Sequence, residues 1–345
     1  MSGFAEVFRV AGAALSVLLA AVLLRDHPRD SSARASAFLL AGVVGHLLFP
    51  LVLTSGANLA LQHGTLLLGM SAPFALWLLA QVHFDDAFRP RPGHWVLLAV
   101  AVGIGYLSWL GVVERRIPGA WFSPANADFW QVAPRLVSLA LVAHALIRVY
   151  VGAGSDLVLA RLRLRYALLL VAGTYMLIEL LGELVLRDSP SARIADTLHS
   201  ALVLVIVFGA SLMTLRSSPE ALRPAKVGLD GPATDPALVD RLRRVMEEGA
   251  YRQEGLTIRG LAERVGTQEH KLRQMINAEL GFKNFNAFLH HYRIREAQQA
   301  LTDPARAHLG VAQIAYEVGY RSLGTFNKAF KDVTGRTPTE IRSSG

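Results

Sequence analysis

The chain has 345 residues, 52% of them apolar, 18% charged and none cysteine, with a mean hydropathy of +0.35. That balance is too apolar for an average soluble protein and predicts a membrane part, while the lack of cysteine excludes disulfides, thiolate metal sites and cysteine nucleophiles. The formal net charge of +8 suits polyanionic partners or anionic lipid without choosing between them.

Apolar residues dominate up to about Leu215, and every lysine (Lys226, Lys271, Lys283, Lys328, Lys331) lies beyond it. Seven stretches approach the roughly 20 residues needed to cross a bilayer: about 7–24, 35–54, 59–83, 94–113, 131–150, 166–186 and 197–215. The first begins near the N-terminus, with Glu6 and Arg9 beside it and Ala20-Ala21 imitating a cleavage site. Because further apolar spans follow, it reads as an uncleaved first transmembrane helix. His63 and Pro73 interrupt the third span, and Pro134 and Arg135 the fifth; proline is tolerated where neighbouring helices satisfy the released carbonyl. The five tryptophans, Trp77, Trp95, Trp109, Trp121 and Trp130, all fall in this half, where an aromatic belt at the bilayer interfaces is the simplest expectation.

The connections follow the positive-inside rule. Arg25, Arg29, Arg34, Arg89, Arg91, Arg148, Arg161, Arg163 and Arg165 flank the odd-numbered connections, against Arg115, Arg116, Arg187 and Arg193 in the others. This bias puts the N-terminus outside and the C-terminus in the cytoplasm, in a multi-pass protein of a bacterial cytoplasmic (inner) membrane. Ionisable groups at membrane depth are costly and usually face the bundle interior. Glu179 and Glu183, four apart on one helix face, make with Arg135 a candidate signal site, and His46, His144 and His199 lie in or near other spans. A purely structural role is equally open, the carboxylates pairing with Arg135 or with a histidine of another helix.

Residues 216–235 read RSSPEALRPAKVGLDGPATD, a proline- and glycine-rich linker that spans at most about 70 Å when extended. Residues 236–248 then carry an apolar stripe of Leu238, Leu242, Val245 and Met246, with Asp235 as N-cap and Pro236 at the first helical position. Arg241, Arg243 and Arg244 lie on its solvated face.

Beyond it one pattern is written twice. Ile258, Leu261, Ala262, Val265, Gly266 and Leu272 are echoed by Val311, Ile314, Ala315, Val318, Gly319 and Phe326. Each copy is a short amphipathic helix ending at a glycine, then a polar turn and a second helix. That is a tandem helix-turn-helix, over about 256–280 and 311–333. In such a motif the second helix enters the major groove with its outward side chains. For the first copy these are Gln268, Glu269, His270, Arg273, Gln274 and Asn277; for the second, Arg321, Ser322, Gly324, Thr325, Asn327, Lys328 and Lys331. Arginine can bond guanine in a bidentate way and glutamine or asparagine can bond adenine, while Gln268 also suits a phosphate contact. Between the copies, residues 285–301 carry a helical stripe of Phe288, Leu289, Tyr292, Ala297 and Leu301. Such a rod, near 26 Å long, suits two recognition helices in successive major grooves about 34 Å apart.

These residues resemble the DNA-binding domain of AraC/XylS-type transcriptional regulators. The second motif matches that family's closing signature in Ile314-Ala315, Val318-Gly319-Tyr320, Ser322, Phe326, Lys328, Phe330-Lys331, Gly335, Thr337-Pro338 and Arg342, and the connecting helix matches in Phe288, Tyr292-Arg293-Ile294, Ala297 and Leu301. The resemblance covers about the last 100 residues. It implies promoter binding, with base-contacting positions at His270, Arg273 and Gln274 and at Leu323, Gly324, Thr325 and Lys328. The N-terminal half is similar in architecture alone to the multi-span membrane half of a less studied subgroup.

The expected organisation is all-α: a seven-helix transmembrane bundle over 1–215, a linker over 216–235, and a tandem helix-turn-helix domain over 236–345. The expected function is a membrane-anchored transcription regulator, not an enzyme, with no cofactor and no metal. Its expected partners are double-stranded promoter DNA, the lipid bilayer, a second copy of the chain and a small-molecule or membrane signal. Two alternatives stay open: a transporter or membrane enzyme with a DNA-binding regulatory tail, and a bundle that only anchors.

Overall fold

The computed structural model describes residues 2–86, 88–113, 126–181, 192–216 and 236–343. Among them the chain is helical, with no strand and one isolated antiparallel bridge, Asp156–Asn284. It divides into two compact units, Met1–Gly152 with Arg165–Ser218, and Ala153–Leu164 with Pro219–Gly345.

The first unit holds α1 (Ser2–Asp26), α2 (Ser31–Thr54), α3 (Leu59–Met70), α4 (Ala72–Phe84), α5 (Pro92–Ser108), α6 (Ala127–Ala153), α7 (Leu159–Leu181) and α8 (Ala192–Arg216), with the ends of α6 and α7 that face one another in the chain counted in the second unit. Six helical segments among the described residues are long and apolar enough to cross a bilayer: Gly3–Asp26, Ser31–Thr54, Leu59–Phe84, Pro92–Val112, Phe129–Ala153 and Ile194–Ser211. The remaining expected span, 166–186, starts within α7, and its last five residues lie outside the described ones. By length and composition the described residues therefore hold six candidate spans, and the expected count of seven is not confirmed. The expected linker, apart from Arg216 at the end of α8, and the expected cap Asp235 also lie outside the described residues.

Lipid supplies no hydrophobic drive between helices, so close packing has to come from small residues. A Cβ on Gly45 of α2 would overlap the backbone nitrogen of Gly69 in α3, and one on Gly69 would come to 2.9 Å from the His46 nitrogen. Gly42 meets Ala72 in the same way. The third expected span is broken at Ser71, which separates α3 from α4. Pro73 sits in the first turn of α4, where its missing N–H costs nothing.

Trp77 and Trp109 are buried, Trp77 donating its indole N–H to His144 Nδ1 at 2.8 Å, while Trp95 is exposed and Trp121 lies outside the described residues. Trp77 packs with Phe74, Leu78, Leu141, Ala145 and Val149 in one bundle core. A second core joins Ala13, Leu47, Val203 and Val207.

The second unit holds α9 (Pro236–Glu247), α10 (Ile258–Val265), α11 (Glu269–Ala278), α12 (Phe285–Thr302), α13 (Val311–Glu317), α14 (Leu323–Thr334) and α15 (Pro338–Ser343). It has two cores. Leu238, Leu242 and Met246 of α9 pack with Leu261, Leu272, Ile276 and Phe288 in the first; Ile294, Ala297, Ile314, Phe326 and Phe330 build the second. α12 contributes its N-terminal half to one and its C-terminal half to the other. At 18 residues it is about 27 Å long.

Candidate nucleic-acid interface

Both motifs fold by one local logic. Thr257 caps α10 by accepting the Gly260 N–H at 3.1 Å, satisfying a donor that the first helical turn leaves unpaired. The helix stops at Gly266, with φ 72°, and the Thr267 N–H returns to the Ala262 carbonyl at 3.0 Å. That return closes the helix end. α13 finishes identically: Gly319 has φ 95° and the Tyr320 N–H reaches the Ala315 carbonyl at 3.0 Å. Leu272 and Phe326, both fully buried, then anchor the second helix of each pair in its own core.

On α11 and at its N-terminus, Gln268, His270, Lys271 and Gln274 are exposed. Arg273 and Asn277, expected to point outward, do not. Arg273 is buried, 6% exposed, because its guanidinium bonds the Glu269 carboxylate at 2.6 Å together with the Gly154 and Asp156 carbonyls. Asn277 is half-buried and donates its amide to the Phe282 carbonyl at 2.9 Å, closing the turn after α11.

On the second motif Arg321, Ser322, Leu323, Gly324, Thr325, Asn327, Lys328 and Lys331 are all exposed, as expected. Three of these side chains already have protein partners. Ser322 caps α14, accepting the Thr325 N–H at 3.3 Å with the Thr325 hydroxyl 2.9 Å away. Arg321 pairs with Glu254 at 2.7 Å. The N-terminal end of α11 borders an open groove of about 620 Å³ lined by Leu238, Arg241, Glu263, Gly266, Thr267, Gln268 and Lys271, so one carboxylate faces the same space as the two cations. Two cations and a helix start converge there, an arrangement that suits a phosphate.

A set of residues whose contacts the sequence did not indicate joins the motifs into one body. Arg293 is buried on α12 and donates to the Tyr251 carbonyl at 2.7 Å and the Gln253 carbonyl at 2.9 Å, while its guanidinium lies over the Tyr320 ring, 5.4 Å from the centroid. Arg252 pairs with Glu296 at 2.7 Å, and Gly319 lies against the Arg252 carbonyl so tightly that a Cβ would overlap it. Tyr320 stacks on His290 and its hydroxyl is 2.8 Å from Nδ1. Burial, reinforced by Arg293, lowers the His290 pKa, and burial raises that of Tyr320. Both groups are therefore held neutral across this hydrogen bond. A signal for Arg293 was present: it stands midway between Leu289 and Ala297 at helical i,i+4 spacing, on the buried stripe.

Among the described residues, polar groups of the first unit converge at two of the histidines singled out in the spans. His46 Nε2 of α2 lies 3.0 Å from His199 Nε2 of α8, and the Tyr175 hydroxyl of α7 lies 3.4 Å from that same nitrogen. Asp196, one turn before His199, pairs with Arg9 of α1. Arg135 is exposed on α6. Glu179 is on α7, and Glu183 lies outside the described residues.

The second unit thus presents two glycine-terminated helix-turn-helix motifs joined by one helix, the architecture of a DNA-binding module that reads successive grooves. Residues 261–344 match the model of a helix-turn-helix domain family, and this C-terminal segment is an AraC-type DNA-binding domain. No curated protein and no solved structure matches the chain.

Proposed function

We propose that this chain is a membrane-anchored, sequence-specific transcription regulator whose bundle senses a signal and whose C-terminal domain binds promoter DNA. One observation carries the reading: a single polypeptide holds six apolar helices of bilayer-crossing length and a tandem helix-turn-helix unit. The arginine-rich connections favour a cytoplasmic C-terminus, the compartment in which DNA is met, and so a bacterial inner-membrane protein with its N-terminus outside. Gln268, His270 and Gln274 on α11, with Thr325 and Lys328 on α14, supply base readout; Lys331, Asn327 and the groove beside Lys271 supply phosphate contacts. α12 sets the two recognition helices for adjacent major grooves of one duplex, and a dimer of chains reads twice as many half-sites. Within the bundle, His46, His199 and Tyr175 are the polar cluster best suited to register a proton or a polar ligand, alongside the pair Glu179 and Glu183.

The test uses the full chain in lipid nanodiscs, offered a pool of random duplexes, with retained sequences recovered and their affinity measured at several salt concentrations. A common sequence element should emerge, and affinity should fall with salt by about one unit of log–log slope per phosphate contact. Retention of no duplex, or of all duplexes equally, would overturn the reading.

A further inference from the structure

The burial of Arg273 has a specific agent. Residues Ala153–Leu164, the connection between α6 and α7 with the adjoining helix ends, belong to the same compact unit as Pro219–Gly345. Their backbone pairs with the turn before α12: the Phe285 N–H donates to the Ser155 carbonyl at 2.7 Å, and the Leu157 N–H to the Lys283 carbonyl at 3.0 Å. Asp156 and Asn284 face each other between those bonds. Leu157, 1% exposed, is a member of the first motif's core. Asp156 is equally buried, with one carboxylate oxygen accepting the Val158 N–H at 3.1 Å and the other 3.3 Å from Arg161. The contact is therefore built, with backbone pairing, an apolar anchor and a buried ion pair.

What this segment grips is the recognition helix. Arg273 spends its donors on the Gly154 carbonyl, the Asp156 carbonyl and Glu269. A guanidinium reads guanine by presenting two parallel N–H groups to O6 and N7, and one already forked onto two carbonyls cannot do both. We propose that residues 154–157 are an autoinhibitory strap, an intramolecular partner of α11 that competes with DNA for Arg273. The proposal rests on the DNA-binding reading and adds its regulation: the strap is continuous with α6 and α7, so a rearrangement of those helices that withdraws it releases Arg273 for base contact.

The chain has no native cysteine, which allows a clean test. Asp156 and Asn284 form a non-hydrogen-bonded antiparallel pair, the register in which Cα atoms are about 4.5 Å apart and a disulfide can form. The full-length double variant Asp156→Cys/Asn284→Cys, in nanodiscs, is compared oxidised and reduced on a duplex selected by the unaltered chain. Oxidation should form the bond and weaken binding by about tenfold, the worth of one bidentate base contact, and dithiothreitol should restore it in the same sample. Leu157→Asp, which expels the anchor, should tighten binding by a similar factor, and adding Arg273→Ala should abolish that gain. Failure of the disulfide to form, or equal affinity in the two redox states, would overturn the strap. A disulfide that forms in a protein whose unaltered form binds no duplex would instead overturn the DNA-binding reading, and the inhibitory role with it.

Discussion

At the scale of single residues, two glycines with the same local task differ in their surroundings. Gly266 and Gly319 both end the first helix of a motif with positive φ, a region that costs an L-residue about 1–2 kcal/mol. A Cβ on Gly266 meets nothing within 4 Å, whereas one on Gly319 would overlap the Arg252 carbonyl. Gly266→Ala should therefore cost about 1 kcal/mol, and Gly319→Ala about 2–4 kcal/mol, a gap that hydrogen exchange of the α10 and α11 amides in the first variant and of the α13 and α14 amides in the second would measure. Equal costs would contradict the close approach. His290 supplies a pH dependence. Its pKa is lowered in the folded chain, so between that value and the ordinary histidine value near 6.5 the unfolded state binds more protons. The stability it contributes is complete above about pH 6.5 and declines as pH falls through the folded pKa. Exchange protection of α14 should drop between pH 7 and pH 5.5, and His290→Gln should flatten that drop; an unchanged slope in the variant would assign it to other groups.

At the scale of elements, period and capping chemistry were readable in advance. Each helix of the tandem motif stands within about two residues of its expected bounds, because the apolar stripe, Thr257 and the two glycines are local signals. The break between α3 and α4 was half-legible: Pro73 marked the interruption, but its place at the start of a new helix follows from Ser71 closing the old one. The glycine seam between α2 and α3 was not legible, since small residues carry no periodic signal of what they touch. It makes a firm prediction. Gly45→Leu should force α2 off α3 and cost several kcal/mol by overpacking, seen as loss of monodisperse protein in detergent. Gly64→Leu, where a Cβ meets nothing within 4 Å, should leave the yield intact, and parity between the two would remove the seam.

At the scale of the molecule, the two exposed recognition surfaces call for different outcomes. Gln274→Ala should cost about 1–3 kcal/mol on the selected duplex and relax preference at one base pair, whereas Lys331→Ala should weaken all duplexes alike and lower the salt slope by about one. These are separable by repeating the random-pool selection with each variant and titrating salt. If Lys331→Ala altered the selected sequence, Lys331 would be a base reader instead.

The sequence alone determined what local repetition can encode. Apolar runs of bilayer length, a helical stripe every three or four residues, a cap and a stop glycine each act through neighbours in the chain, so they persist whatever surrounds them. The tertiary structure decided the fate of the charges. Arg273 and Arg293 look alike in the sequence, two arginines on amphipathic helices, and Arg273 was expected to face outward. Each is buried because distant backbone carbonyls, at Gly154 and Asp156 for one and at Tyr251 and Gln253 for the other, replace its lost water. A guanidinium leaves solvent only where such acceptors are supplied, and which carbonyls arrive is settled by how separated segments pack, not by the spacing around the arginine.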